Sequence, residues 1–128
     1  MTEELITLET AMLLKAAGFK EDVRIFYESV GTEGGFELFE SYKAQNYNAN
    51  VYSFSATTLF IAQKWLRETK NMHIEISYSC DKYWYYDIIT IPNHDLVGLA
   101  DRPFIHYKTY EEALEAGIQE ALKLVKLI

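Results

Sequence analysis

The chain has 128 residues, 49% of them hydrophobic and 24% charged, and carries a net charge of −7 at pH 7. That length and balance suit one globular domain with its own core and exclude wholesale disorder. The acidity disfavours general binding to nucleic acid or to anionic membranes, since both present phosphate, and leaves a basic partner open.

Residues 1–50 hold nine acids against four bases, and residues 51–128 hold ten against eight, so the negative charge is concentrated early. The single cysteine, Cys80, excludes an internal disulfide and points to a reducing compartment. "MTEELITLET" lacks the basic start and apolar run of a secretory leader. No stretch approaches the roughly 18 consecutive apolar residues of a membrane span. The expectation is a soluble cytoplasmic protein, with residues 1–128 forming a single α+β domain.

The first element is a helix. Thr7 is its N-cap, and Glu9 lies in the first turn, where the helix dipole favours negative charge. "LETAMLLKAA" is rich in strong helix formers. Gly18 then supplies a left-handed stop, which sets Phe19 against Leu14. Residues 23–43 read as a hairpin, with "VRIFYESV" and "FELFESYK" flanking the glycines of "GTEGG". "AQNYNANVYSFS" has no clear period and reads as a loop.

A second helix is predicted over 56–70 with Ser55 as N-cap. Thr58, Leu59, Ile61, Ala62, Trp65 and Leu66 share one side of it. Lys64 and Arg67 lie opposite, and Phe60 lies with them, so Phe60 must meet another part of the chain or a partner.

"HIEISYS", residues 73–79, is a strand of period two. In the segment after it, Tyr83, Trp84, Tyr85 and Tyr86 stand in succession. A two-residue loop between the strands would set Asp87 opposite Ile74 on the apolar face, an expensive burial. A three-residue loop pairs Tyr78 with Trp84, Ile76 with Tyr86 and Ile74 with Ile88, and burial of one face selects this register. Trp84, Tyr86 and Ile88 then face the core, while Tyr83 and Tyr85 point outward beside Glu75, Ser77 and Ser79.

"PNHDLVGLADRP" carries turn signals and leads to a short strand near "FIHYK". "TYEE" is a capping box, with Thr109 as N-cap and Glu112 three residues on. The stripe of the last helix is Tyr110, Ala113, Leu114, Gly117, Ile118, Ala121, Leu124 and Val125. The predicted order is α-β-β-α-β-β-β-α, with helices packed on one face of a mostly antiparallel sheet.

The second half alone reads α-β-β-β-α, an order that resembles the double-stranded-RNA-binding domain. In that family the last helix begins with lysines that grip phosphate; here it begins "TYEEALEAG", with glutamates in their place. Tyr83 and Tyr85 are of a kind to stack bases, with Lys64, Arg67 and Lys70 nearby, but tyrosine is also simply a good strand residue.

The three histidines, His73, His94 and His106, have no zinc spacing, and Cys80 stands alone, so neither metal nor cofactor is expected. His73 and Glu75 share a strand face and form half of a metal site or of an acid–base site. Asn93, His94 and Asp95 make a polar loop trio of the kind active sites use. No phosphate-cradling glycine loop or nucleophile elbow is present. Cys80 falls in a turn and reads as an ordinary free thiol.

Together "LITLETAMLLKAAGF", "AQKWLRE" (62–68) running into "HIEI", and "TYEEALEAGIQEALKLV" (109–125) resemble a family of small uncharacterised bacterial proteins associated with prophage or mobile-element regions. The resemblance covers most of the chain, least between 20 and 55, and implies a genomic setting with no assigned activity.

The functional expectation is a non-enzymatic protein that binds a protein partner or itself. Its contact residues are Tyr83, Tyr85, Phe60, Lys64 and Arg67. Two alternatives stand beside it. One is an acidic nucleic-acid mimic built on Glu28, Glu33, Glu37 and Glu40, which requires those acids along one ridge. The other is a small enzyme at His73 and Glu75 or at Asn93–Asp95, which requires a cleft there.

Overall fold

The structure is a computed structural model that describes residues 4–31, 33–97 and 106–125. It is α+β, with three helices and two antiparallel three-stranded sheets. The strands divide between two sheets where the sequence suggested one. By its contacts the chain forms two compact units, Leu5–Thr58 and a second made of Met1–Glu4 with Leu59–Ile128.

In the first unit, helix α1 spans Leu8–Ala16. The Thr7 hydroxyl accepts from the Thr10 amide at 3.4 Å. At the far end Gly18 adopts φ +99°. Phe19 N–H donates to Leu14 O at 3.1 Å, and Gly18 N–H donates to Lys15 O at 3.1 Å. This is the Schellman pair of bonds, and it brings buried Phe19 onto buried Leu14 as expected.

Strands β1 (Val23–Val30) and β2 (Gly35–Gln45) form the expected hairpin, with Gly31 and Gly34 at positive φ in the turn. Residues 44–55 are not the loop the sequence suggested, and the first two of them end β2. A short 3-10 turn at Tyr47–Ala49 leads into strand β3, Ser53–Ala56, which pairs antiparallel with β1. Phe54 and Ala56 share a sheet face with Ile25 and Tyr27, and α1 contacts that strand. Lys15 crosses here: its ammonium donates to Asn50 O at 2.7 Å and Ser53 O at 2.8 Å and lies 4.6 Å from the Phe54 ring. Burial pulls its pKa below the ordinary lysine value.

Strand β3 also corrects the start of the second helix. Ser55 is no N-cap; it is a fully buried strand residue opposite Phe26. Helix α2 spans Leu59–Thr69 and buries Leu59, Ala62, Trp65 and Leu66. Ile61, placed by the wheel on the core side, is exposed.

In the second unit, strand β4 (Met72–Tyr78) pairs with β5 (Trp84–Thr90) in the expected register: Tyr78 with Trp84, Ile76 with Tyr86, Ile74 with Ile88. The loop of residues 80–82 is closed by Lys82 N–H donating to Ser79 O at 2.9 Å, with Lys82 at φ +68°. A type I turn followed by a left-handed residue is the usual three-residue hairpin loop. Ile74, Tyr86 and Ile88 are buried. Trp84 is half-buried, flanked by Tyr78 at 4.9 Å and by the edge of Tyr110 at 5.5 Å. Tyr78 itself is exposed, so the core face runs out at the hairpin end.

Among the described residues the third strand of this sheet comes before "FIHYK". Strand β6 is Leu96–Val97, paired with Ile88 and Ile89. Residues 104 and 105 of the expected strand lie outside the described residues; Tyr107 makes an isolated bridge to Trp84, with bonds of 2.9 and 3.1 Å.

Helix α3 spans Tyr110–Val125. Thr109 caps it, its hydroxyl accepting from Glu112 N–H at 3.0 Å. The Glu112 carboxylate accepts from Lys108 N–H at 3.2 Å, one residue upstream of the N-cap amide that a regular capping box uses. The buried stripe is Ala113, Leu114, Gly117, Ile118, Ala121 and Leu122. Leu122, absent from the expected stripe, is fully buried, while Tyr110 is exposed. A Cβ at Gly117 would stand 2.7 Å from Ile74 Cγ2 and 3.1 Å from Tyr86 Cγ, so the helix lies directly on the inner face of this sheet.

Candidate functional site

Alternation along β4 and β5 places His73, Glu75, Ser77, Tyr85, Asp87 and Ile89 on the face opposite Gly117. Across the two strands His73 stands opposite Ile89, Glu75 opposite Asp87, and Ser77 opposite Tyr85. Glu75 and Tyr85 are exposed; Asp87 is half-buried. Tyr83 differs from its neighbour. Its ring stacks on His106 at 3.8 Å with 10° between planes, and Tyr85 lies 6.1 Å from it. The pair the sequence nominated is thus one half-buried ring and one exposed at 36%.

On α2, Phe60 is 57% exposed, as its place on the wheel required. Lys64 is spent in a long surface pair with Glu68 at 4.0 Å. Such exposed i,i+4 pairs contribute only about 0.3–0.5 kcal/mol. Arg67 behaves differently. It is half-buried and lines a cavity with His73, Glu75, Ile89, Ile91 and His94. The cavity measures about 420 Å³.

This cavity joins the two half-sites that the sequence offered separately. His73 and Glu75 come from β4, and His94 comes from the polar loop after β5. Backbone bonds fix that loop: His94 N–H donates to Thr90 O at 2.9 Å and Thr90 N–H to Asp95 O at 2.9 Å. The Asp95 amide also donates to the Thr90 hydroxyl at 3.0 Å. Ile91 N–H donates to Asn71 O at 2.9 Å, which ties the loop to the turn entering β4. His94 sits at φ +60°.

His73 Nδ1 is buried with no hydrogen-bond partner. The tautomer carrying its hydrogen on Nε2 avoids a buried N–H without an acceptor. Asn93 and Asp95 do not line the cavity. Among the described residues, no three His, Cys, Asp or Glu side chains converge to hold a metal ion. The residues that sequence reasoning missed are the apolar wall, Ile89 and Ile91. Their signal was the run "DIITIP", which continues the outer-face alternation from Asp87 through Ile89 to Ile91.

In the first unit, Glu28 and Glu37 stand directly opposite each other, whereas Glu40 pairs with Ile25 on the other face. Glu28 accepts from the Ser53 hydroxyl at 2.8 Å and lines a cavity of about 490 Å³ with Phe26, Tyr47 and Asn50. Glu33 lies in the hairpin turn. The four acids form no single ridge, so the arrangement a nucleic-acid mimic needs is missing among them.

Cys80 is exposed in the hairpin loop. The α-β-β-β-α order of the second unit is as expected, and Glu111 and Glu112 occupy the first turn of α3. Among the described residues no helix is long and apolar enough to cross a membrane. Compared with protein-family models, curated proteins and solved structures, the chain matches none.

Proposed function

We propose that this is a non-enzymatic binding protein whose contact surface for a protein partner is the outer face of the β4–β5–β6 sheet. The observation that supports it is the set of apolar side chains left in solvent there. Tyr85 is exposed, and Leu96, opposite buried Ile89, is exposed at 52%. Ile91 follows on the same alternation and is also exposed. Tyrosine and isoleucine at the rim of charged side chains are typical of surfaces that other proteins cover. Phe60 and Arg67 belong to the same reading as contacts offered by α2. The setting implied by the sequence resemblance is that of an accessory protein of a prophage or mobile element.

Replacing Tyr83 and Tyr85 together by Ser tests it. The account expects loss of a partner in affinity purification from the native host, or loss of self-association in light scattering. If both the oligomeric state and the co-purifying proteins are unchanged, the surface is wrong. A second reading, a small enzyme, draws on the cavity that unites His73, Glu75 and His94. Hydrolysis of a chromogenic ester panel that disappears in both His73→Gln and Glu75→Gln would put it in place of the first.

A further inference from the structure

The outer-face cavity has polarity with direction. At one end is Glu75, with Asp87 across from it. One strand step on, roughly 7 Å along β4, comes His73 beside Ile89. Beyond these lie Ile91 and His94, and α2 contributes Arg67.

Arg67 and Glu75 line one cavity, yet no ion pair within 4.0 Å joins them, and neither side chain has a hydrogen bond or other charged partner among the described residues. A cation and an anion lining one cavity without pairing leave both charges available to a ligand of complementary charge. His73 adds a buried ring nitrogen without a partner, which is costly unless something supplies one.

We infer that this cavity is a binding site for a small zwitterion with a compact aliphatic substituent. The guanidinium of Arg67 takes the carboxylate, and the unpartnered Nδ1 of His73 accepts from the ammonium. The carboxylate of Glu75 takes the ammonium. Ile89, Ile91 and Pro92 receive the substituent. A phosphate dianion is opposed by Glu75, and a purely apolar ligand would strip water from two charges without replacing it. The volume sits at the low end of ligand pockets, in keeping with an amino-acid-sized molecule.

The test uses the full chain and three probes: L-leucine, N-acetyl-L-leucine and L-leucinamide. Binding is read by amide chemical shifts and by calorimetry. L-leucine is expected to bind with a Kd at or below about 1 mM and to shift amides of residues 73–75 and 89–94. Each capped analogue, lacking one charge, is expected to bind at least about tenfold more weakly. Arg67→Gln and Glu75→Gln are each expected to weaken L-leucine by about tenfold or more with the amide spectrum otherwise intact, while Lys64→Gln leaves it unchanged. No saturable shift up to about 10 mM L-leucine overturns the proposal. So does equal binding of either capped analogue, or wild-type binding by either Gln variant. No partner protein enters this test, so its failure leaves the protein-contact reading standing, and the reverse holds too.

Discussion

The two units of this protein solve the same problem differently. Each sets a three-stranded antiparallel sheet against helix, but the first has one helix of nine residues and the second has helices of eleven and sixteen. In the first, no residue of the sheet's longest strand, β2, is fully buried, and Leu38, Phe39 and Tyr42 are exposed on it. In the second, Ile74 and Ile88 are wholly enclosed, and α3 approaches so closely that Gly117 has no room for a Cβ. A sheet with one face tightly closed is free to carry charge and cavities on the other. That is where Arg67, His73 and Glu75 gather.

The largest expected effect follows from the closed face. Ile74→Ala should destabilise the protein by about 2–5 kcal/mol in urea unfolding, whereas Leu38→Ala on β2 should change stability by about 0.5 kcal/mol or less. Equal losses would remove the contrast between the sheets. Gly117→Ala comes next. Overpacking against Ile74 costs about 1–3 kcal/mol, and the gain in helix propensity returns at most about 1. A thermal midpoint at or above wild type would show that α3 stands off the sheet. Thr7→Ala should cost about 1 kcal/mol, since it frees the Thr10 amide at the start of α1. Smallest of all, Phe60→Ser should fall within about 0.5 kcal/mol on denaturant unfolding, because more than half of the ring is in solvent.

The same contrast explains what was legible in the sequence. The β4–β5 register could be deduced because only one pairing keeps Asp87 off the buried face, and α1 and α3 announce their caps with Thr7, Gly18 and Thr109. Strand β3 could not be seen. Its buried positions include Ser53 and Ser55, so a strand pairing with β1 looked polar and aperiodic, and Ser55 passed for a helix cap. Tertiary pairing overrode local propensity there. The cavity was half legible: His73, Glu75 and the 93–95 loop stood out as separate polar features. Only the return of the chain after Thr90, bonded to Asp95 and Asn71, brings His94 to β4. Arg67 was read as an outward contact because a helical wheel cannot show a neighbouring strand.

One measurement bears most directly on the claim that the outer face of the second sheet meets another protein. A photo-crosslinking residue is placed at Tyr85 in one sample and at Tyr42 in another, and both are irradiated in the native host. Tyr42 is 93% exposed and serves as the control for mere accessibility. The account predicts a discrete adduct, with a partner or a second copy, from position 85 and none from position 42. An adduct from 42 alone, or from neither, would contradict it.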